Sequence, residues 1–135
     1  MPASFNARAE TVADKPMFRD AFARHRCIIP ASGYYEWLKR LDGRQPYFIS
    51  AADGVVLSFA GLWDRWKNAL TRAIHDRMPV VLDQADIGRW LSGEAGTELL
   101  RPAAEVRLRM WPVSRRVNKT GTGDDDPTLL DEVAA

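Results

Sequence analysis

Two Asp-Gly pairs, Asp42-Gly43 and Asp53-Gly54, punctuate three short apolar runs in the middle of this chain, and they restrict its fold more than any other feature. Asp-Gly is favoured in the tight turns that join antiparallel strands, because glycine reaches positive φ at no steric cost. The runs 33–39 and 44–50 therefore pair as a hairpin across the first turn, and 55–63 forms a strand after the second. Further strands are predicted at 27–30, ended by Pro30, at 78–82 after a break around His75, and at 110–113, limited by Pro112. Met17, Phe18, Ala21 and Phe22 recur at helical spacing with Pro16 in the first turn, which predicts a helix over 15–25, and 83–91 reads as a shorter one. Strands joined by hairpins with helices at the edges define an α+β domain with a mainly antiparallel sheet. No βαβ unit and no glycine-rich phosphate loop is present.

At 135 residues, 46% apolar and 27% charged, the composition fits one domain with one core. That domain is read as 1–120, opening on a loop-like stretch to Thr11. Residues 121–135 form an acidic tail with Gly121, Gly123 and the run Asp124-Asp125-Asp126, expected to be flexible. Five tryptophans fill the core by default, or offer stacking faces to bases. The single cysteine, Cys27, excludes an internal disulfide framework, and its apolar surroundings suit a buried thiol over a reactive thiolate. With no apolar leader or membrane-spanning run, the expected setting is cytoplasmic. His25, Cys27 and His75 lack metal-ligand spacing, so no metal and no other cofactor is expected.

The net charge of +1 excludes a polybasic protein that holds nucleic acid by bulk attraction. The charge is uneven, however. Between Arg101 and Gly121 the bases Arg101, Arg107, Arg109, Arg115, Arg116 and Lys119 face one acid, Glu105, while the tail beyond is purely acidic. Such a strip is either a solvated face or a set of phosphate contacts. Glu36 stands in an aromatic setting, Tyr34-Tyr35-Glu36-Trp37. Burial there would disfavour its ionised form and suit it to proton transfer near neutrality, whereas period-2 alternation could equally place it on a wet face.

Four segments taken together, Asn6-Ala7-Arg8-Ala9-Glu10-Thr11, Arg26 to Trp37, Phe59-Ala60-Gly61-Leu62-Trp63 and His75-Asp76-Arg77-Met78-Pro79, resemble the SOS response-associated peptidase (SRAP) family in order and rough spacing. The resemblance runs from Asn6 to about Val117. It implies a barrel-like, mostly antiparallel fold with peripheral helices. It also implies a sensor of abasic sites in single-stranded DNA that bonds covalently to the lesion during the DNA-damage response, after processing its own N-terminus. In that family a cysteine follows the initiator methionine, and its amine and thiol together trap the aldehyde of the ring-opened sugar. By resemblance Asn6 holds the sugar or the N-terminal group, Glu36 moves protons, His75 assists ring opening, and Arg8 and Arg77 contact phosphates. Without that family context each has a plainer reading: Asn6 as a turn residue, His75 as a structural histidine, and Arg8 and Arg77 as surface partners of Glu10 and Asp76.

Two departures bear on this resemblance. Residue 2 is Pro2, so the expected nucleophile and the segment around it have no counterpart before Asn6. The stretch between Trp66 and His75 is short, which predicts a sheet lacking a strand. A fragment or misassigned start, the observable part of a longer molecule, and a degenerate copy are the three explanations. Without a thiol, a mature N-terminal Pro2 could form only an iminium, a weak lyase-like chemistry. The alternatives to covalent abasic-site chemistry are reversible single-stranded DNA binding through the basic strip and aromatics, and an inactive remnant. Peptidase action on other proteins lacks a nucleophile set such as Ser-His-Asp.

Overall fold

The computed structural model describes residues 6–64, 70–76, 78–119, 121 and 123–134, with the backbone alone for 64, 70–76 and 106. The chain divides into two compact units, 1–31 with 57–103, and 32–56 with 104–135, where the composition had suggested a single domain. Each unit is built on its own sheet.

The first unit carries β1 (Asn6–Arg8), β2 (Arg26–Ala31), β5 (Leu57–Asp64), β6 (Leu70–Asp76) and β7 (Met78–Pro79), with helices α1 (Pro16–Arg24) and α2 (Ile87–Ser92). Its strand order is β1-β6-β5-β2, with β7 paired to β6. The β1–β6 pair is parallel and the others are antiparallel. Ala7, Val12, Phe18, Ala60, Leu62, Val80 and Trp90 pack as its core, each at most 2% exposed. Trp90 is fully buried and donates its indole N–H to the Cys27 carbonyl at 3.0 Å. A buried indole needs such a partner, and this one locks α2 to β2.

The second unit holds β3 (Tyr34–Arg40), β4 (Gly43–Ala51) and β8 (Leu108–Pro112) in the order β3-β4-β8, all antiparallel. The expected hairpin is present: Arg40 pairs with Gly43 around Leu41 and Asp42, and Gly43 has φ +129°. Arg115 braces that turn through Asp42 at 2.9 Å and Gln45 at 3.4 Å. Phe48 packs edge-on to both Tyr35 and Trp111 across the sheet.

The α+β class and the mainly antiparallel pairing stand, and neither sheet closes into a barrel among the described residues. Three local expectations change. Pro30 does not end its strand, which continues to Ala31, because β2 is the last strand of its sheet and a proline on an edge costs no ladder bond. His75 itself lies in a strand: 70–76 sits between β1 and β5, inside the stretch expected to have lost one, and the break expected around His75 comes between the end of β6 at Asp76 and the start of β7 at Met78. The predicted strand 78–82 shrinks to β7 and an isolated bridge, Phe59 to Val81.

The segment after Thr120 had been read as mobile. Its described residues fold back onto their own unit, where Trp111 donates to the Leu130 carbonyl at 2.7 Å. Val113 bridges Glu132, the Val133 N–H reaches the Pro112 carbonyl, and Arg116 binds both Asp126 and Thr128. No helix among the described residues is long and apolar enough to cross a membrane.

Candidate functional site

The segment Asn6-Ala7-Arg8 forms β1, where alternation fixes which side chains are presented. Ala7 is fully buried, and Asn6 and Arg8 on either side of it are exposed. The parallel register sets Arg8 opposite His75, Ala7 opposite Ile74 and Asn6 opposite Ala73. Three of the five residues singled out from sequence thus lie on two adjacent strands. Arg77 lies outside the described residues.

After β1 the chain doubles back in consecutive turns. The Thr11 N–H bonds the Arg8 carbonyl at 3.2 Å, and the Thr11 carbonyl accepts from Asp14 at 3.2 Å and Lys15 at 2.9 Å. These turns return the chain to the start of α1 and leave a surface cleft of about 640 Å³ lined by Asn6, Arg8, Thr11, Asp14, Lys15 and Phe18. Thr11, Asp14 and Lys15 were not singled out from sequence. Only the fold brings them beside Arg8, and a lone lysine ahead of a proline carries no signal of its own.

Glu36 belongs to the second unit, on β3, where it pairs with Tyr47 of β4. Its neighbours differ from those the linear sequence suggested. Tyr35 and Trp37 point to the opposite face by the two-residue period, leaving Tyr34 and the cross-strand Tyr47 on the face of Glu36. Glu36 is half-buried, and that burial pushes its carboxyl above the usual carboxylate range. The Tyr34 phenol is also raised, first by burial and then by the charge of Glu36. A carboxyl that holds its proton more tightly than in water is suited to general acid and base work.

The Arg26-Cys27 segment serves the architecture. The Arg26 guanidinium lies 4.5 Å from the ring centroids of both Phe22 and Trp90 and donates to the carbonyls of Phe22, Trp90 and Ala95. Burial pushes the half-buried Cys27 thiol up, away from thiolate reactivity. No group of three or more His, Cys, Asp or Glu residues among the described residues is placed to hold a metal ion.

The basic strip is largely occupied within the molecule. Arg101 meets Asp86 at 3.6 Å, Arg115 meets Asp42 at 2.9 Å and Arg116 meets Asp126 at 3.0 Å. Arg109 lies 4.8 Å from the Trp111 ring centroid and donates to Ser50. Exposed pairs of this kind each contribute at most about 1 kcal/mol, yet they spend charge that the sequence alone leaves free for phosphates. The Asp126 carboxyl is held below its ordinary value by the Thr128 hydroxyl and N–H and then by Arg116.

Mainly antiparallel sheets with short helices and a polar cleft beside β1 define a small α+β protein. Its sequence matches the model of the SOS response associated peptidase (SRAP) family over residues 1–120. The chain belongs to that family. Among similar proteins is "Abasic site processing protein YoqW" of Bacillus subtilis, 36% identical over 150 residues, a match covering 93% of this chain and 66% of that protein. "Abasic site processing protein YedK" of Escherichia coli is 35% identical over 138 residues, covering 86% and 62%. A solved protein structure from Bacteroides thetaiotaomicron superposes with a TM-score of 0.83 at 28% identity, over 96% of this chain and 66% of that one. One from Bordetella bronchiseptica gives 0.69 at 30% identity, over 81% and 64%. The chain thus spans less than two thirds of the length of these relatives.

Proposed function

We propose that this chain is part of an abasic-site processing protein that engages single-stranded DNA and, as the whole protein, links covalently to the lesion in the DNA-damage response. Residues 1–120 supply the partial SRAP domain and 121–135 an appended acidic segment. The observation that carries the reading is the parallel β1–β6 register, which sets Asn6 and Arg8 alongside the strand of His75. The raised proton affinity of Glu36 supports it.

In this reading Arg8 and Arg77 hold phosphates, Asn6 hydrogen-bonds the sugar or the N-terminal group, and His75 assists opening of the deoxyribose ring. Glu36 then relays protons. The N-terminal amine of the whole protein condenses with the C1′ aldehyde, releasing water as the imine forms. A cysteine thiol on the same residue adds to the imine carbon, its proton passing to the nitrogen, and the ring closes as a thiazolidine. That cysteine is the family's, carried here by resemblance. Self-processing at the N-terminus and a lyase-like side reaction belong to the same proposal, as does a cytoplasmic setting.

The test uses protein purified from its source, whose intact mass is compared with 15.2 kDa. That protein is incubated with a single-stranded oligonucleotide bearing one abasic site. The expected result is a species that survives denaturant and high salt, forms with the abasic strand alone, and forms more slowly in Glu36→Gln and His75→Ala while DNA binding persists. No adduct and no preference for the abasic strand would overturn the reading. Reversible binding through the basic strip finds less support, because Arg101, Arg115 and Arg116 are engaged by Asp86, Asp42 and Asp126.

A further inference from the structure

We propose that the cleft between β1 and the start of α1 is a backbone-phosphate subsite for single-stranded nucleic acid, with Lys15 as a second cationic contact beside Arg8. This rests on the DNA-binding reading above and extends it to residues which that reading does not use. Among the described residues the cleft is lined by two cations, Arg8 and Lys15, by two neutral hydrogen-bonding side chains, Asn6 and Thr11, and by one carboxylate, Asp14. The balance favours an anion. The one aromatic among those described lining residues, Phe18, is 2% exposed and so has almost no free face on which a base could stack. Charge without a stacking face suits the sugar-phosphate chain, which a protein can grip irrespective of sequence.

Lys15 is held in place by its surroundings. It precedes Pro16, which disfavours the helical region for it, and it sits at φ −66°, ψ 123°. Its N–H is tied to the Thr11 carbonyl at 2.9 Å, and its Nζ lies 5.8 Å from the Phe18 ring centroid. The ammonium is therefore kept along the cleft wall. α1 begins here with no acid in its first turn and no side chain capping it, so its own partial positive charge adds to that of Lys15. Asp14 opposes both cations and moderates the grip.

The test is fluorescence anisotropy of the full chain with a labelled oligothymidylate free of abasic sites, titrated at several sodium chloride concentrations. For single strands the logarithm of the binding constant falls with the logarithm of salt by about 0.7 per phosphate contact. Lys15→Gln should flatten the slope by about that much and weaken low-salt binding by roughly three- to tenfold. Lys15→Arg should keep both values, and Asp14→Asn should tighten binding. An unchanged slope in Lys15→Gln, with wild-type binding intact, overturns this proposal and leaves the wider reading standing. Absence of any wild-type binding overturns both. Matching melting midpoints for Lys15→Gln and Lys15→Arg separate loss of charge from loss of fold.

Discussion

Gly33, three residues ahead of Glu36, has almost no room for a side chain. A Cβ built there would lie 2.4 Å from the Ile49 carbonyl oxygen, 2.4 Å from Phe48 Cζ and 2.9 Å from Phe48 Cε1. Its φ is not in the left-handed region, so the cost of Gly33→Ala is one of space. The Phe48 ring could shift, but the carbonyl belongs to β4, the central strand of a three-stranded sheet, and cannot withdraw without disturbing both neighbours. Overpacking typically costs about 1–3 kcal/mol, and a main-chain obstacle places this site at the upper end. Alanine returns about 0.4–1 kcal/mol by restricting the unfolded chain. A net loss of about 2–2.6 kcal/mol follows, a large part of the 5–15 kcal/mol typical of a domain. At Gly61 a Cβ would meet only side chains, Ile29 Cδ1 and Cγ1 at 2.8 Å and Cys27 Sγ at 2.9 Å, so Gly61→Ala should cost less. Urea titration followed by tryptophan fluorescence and far-ultraviolet circular dichroism measures both. With a slope of about 1–3 kcal/mol per molar, Gly33→Ala should lower the midpoint by roughly 0.7–2.6 M. A midpoint within about 0.3 M of wild type, or a larger loss at Gly61, would refute the argument.

Glu36→Gln should leave stability unchanged in acid and raise it above wild type as pH climbs. A carboxyl raised in the folded state binds more protons than its unfolded form, so wild-type stability falls from the ordinary carboxylate range up through the raised value. Urea midpoints from pH 4 to 8 test this, and a pH-independent difference would contradict it. Trp90→Ala should cost about 3–5 kcal/mol through loss of the buried ring, and Trp90→Phe less, leaving the Cys27 carbonyl without its indole donor. Thermal melts should rank the two in that order. Arg116→Ala should speed proteolytic cutting after 120, since Asp126 and Thr128 lose their anchor. The Asp126 carboxyl is depressed in the folded state, so its contribution is present above the ordinary carboxylate value and is lost as pH falls through the folded one. Wild-type cutting in that segment, read by mass spectrometry, should therefore quicken in strong acid.

What could be read from sequence depended on how local its cause was. The hairpin at Asp42-Gly43 was legible because the turn residues themselves dictate it, and α1 because its apolar spacing and Pro16 are local signals. The strand through His75 was not, since 70–76 alternates poorly and one of its two partners, β1, lies far back in the chain, Arg8 opposite His75. Pro30 misled because only the sheet order shows β2 to be an edge. The contacts of the tail left no periodic trace either: Trp111 to Leu130 and Arg116 to Asp126 bridge 19 and 10 residues. Among the candidate residues, Asn6, Arg8, Glu36 and His75 were named by resemblance, through the four family segments. Their neighbours come from geometry: the hairpin register sets Tyr47 across from Glu36, and the turns between Arg8 and α1 bring Lys15 into the cleft that Arg8 lines.

The three-stranded sheet also imposes an order of events during synthesis. β3 and β4 leave the ribosome together, but the partner for the other side of β4 is β8, and residues 52–107 must be made between them. At translation rates of 5–20 residues per second, that interval lasts roughly 3 to 11 s. Throughout it the Tyr47–Ala51 edge of β4 has no strand to bond, and such an edge can recruit any extended chain nearby. A nascent chain of this design therefore depends on chaperone cover, or on dilution from its neighbours, until β8 emerges.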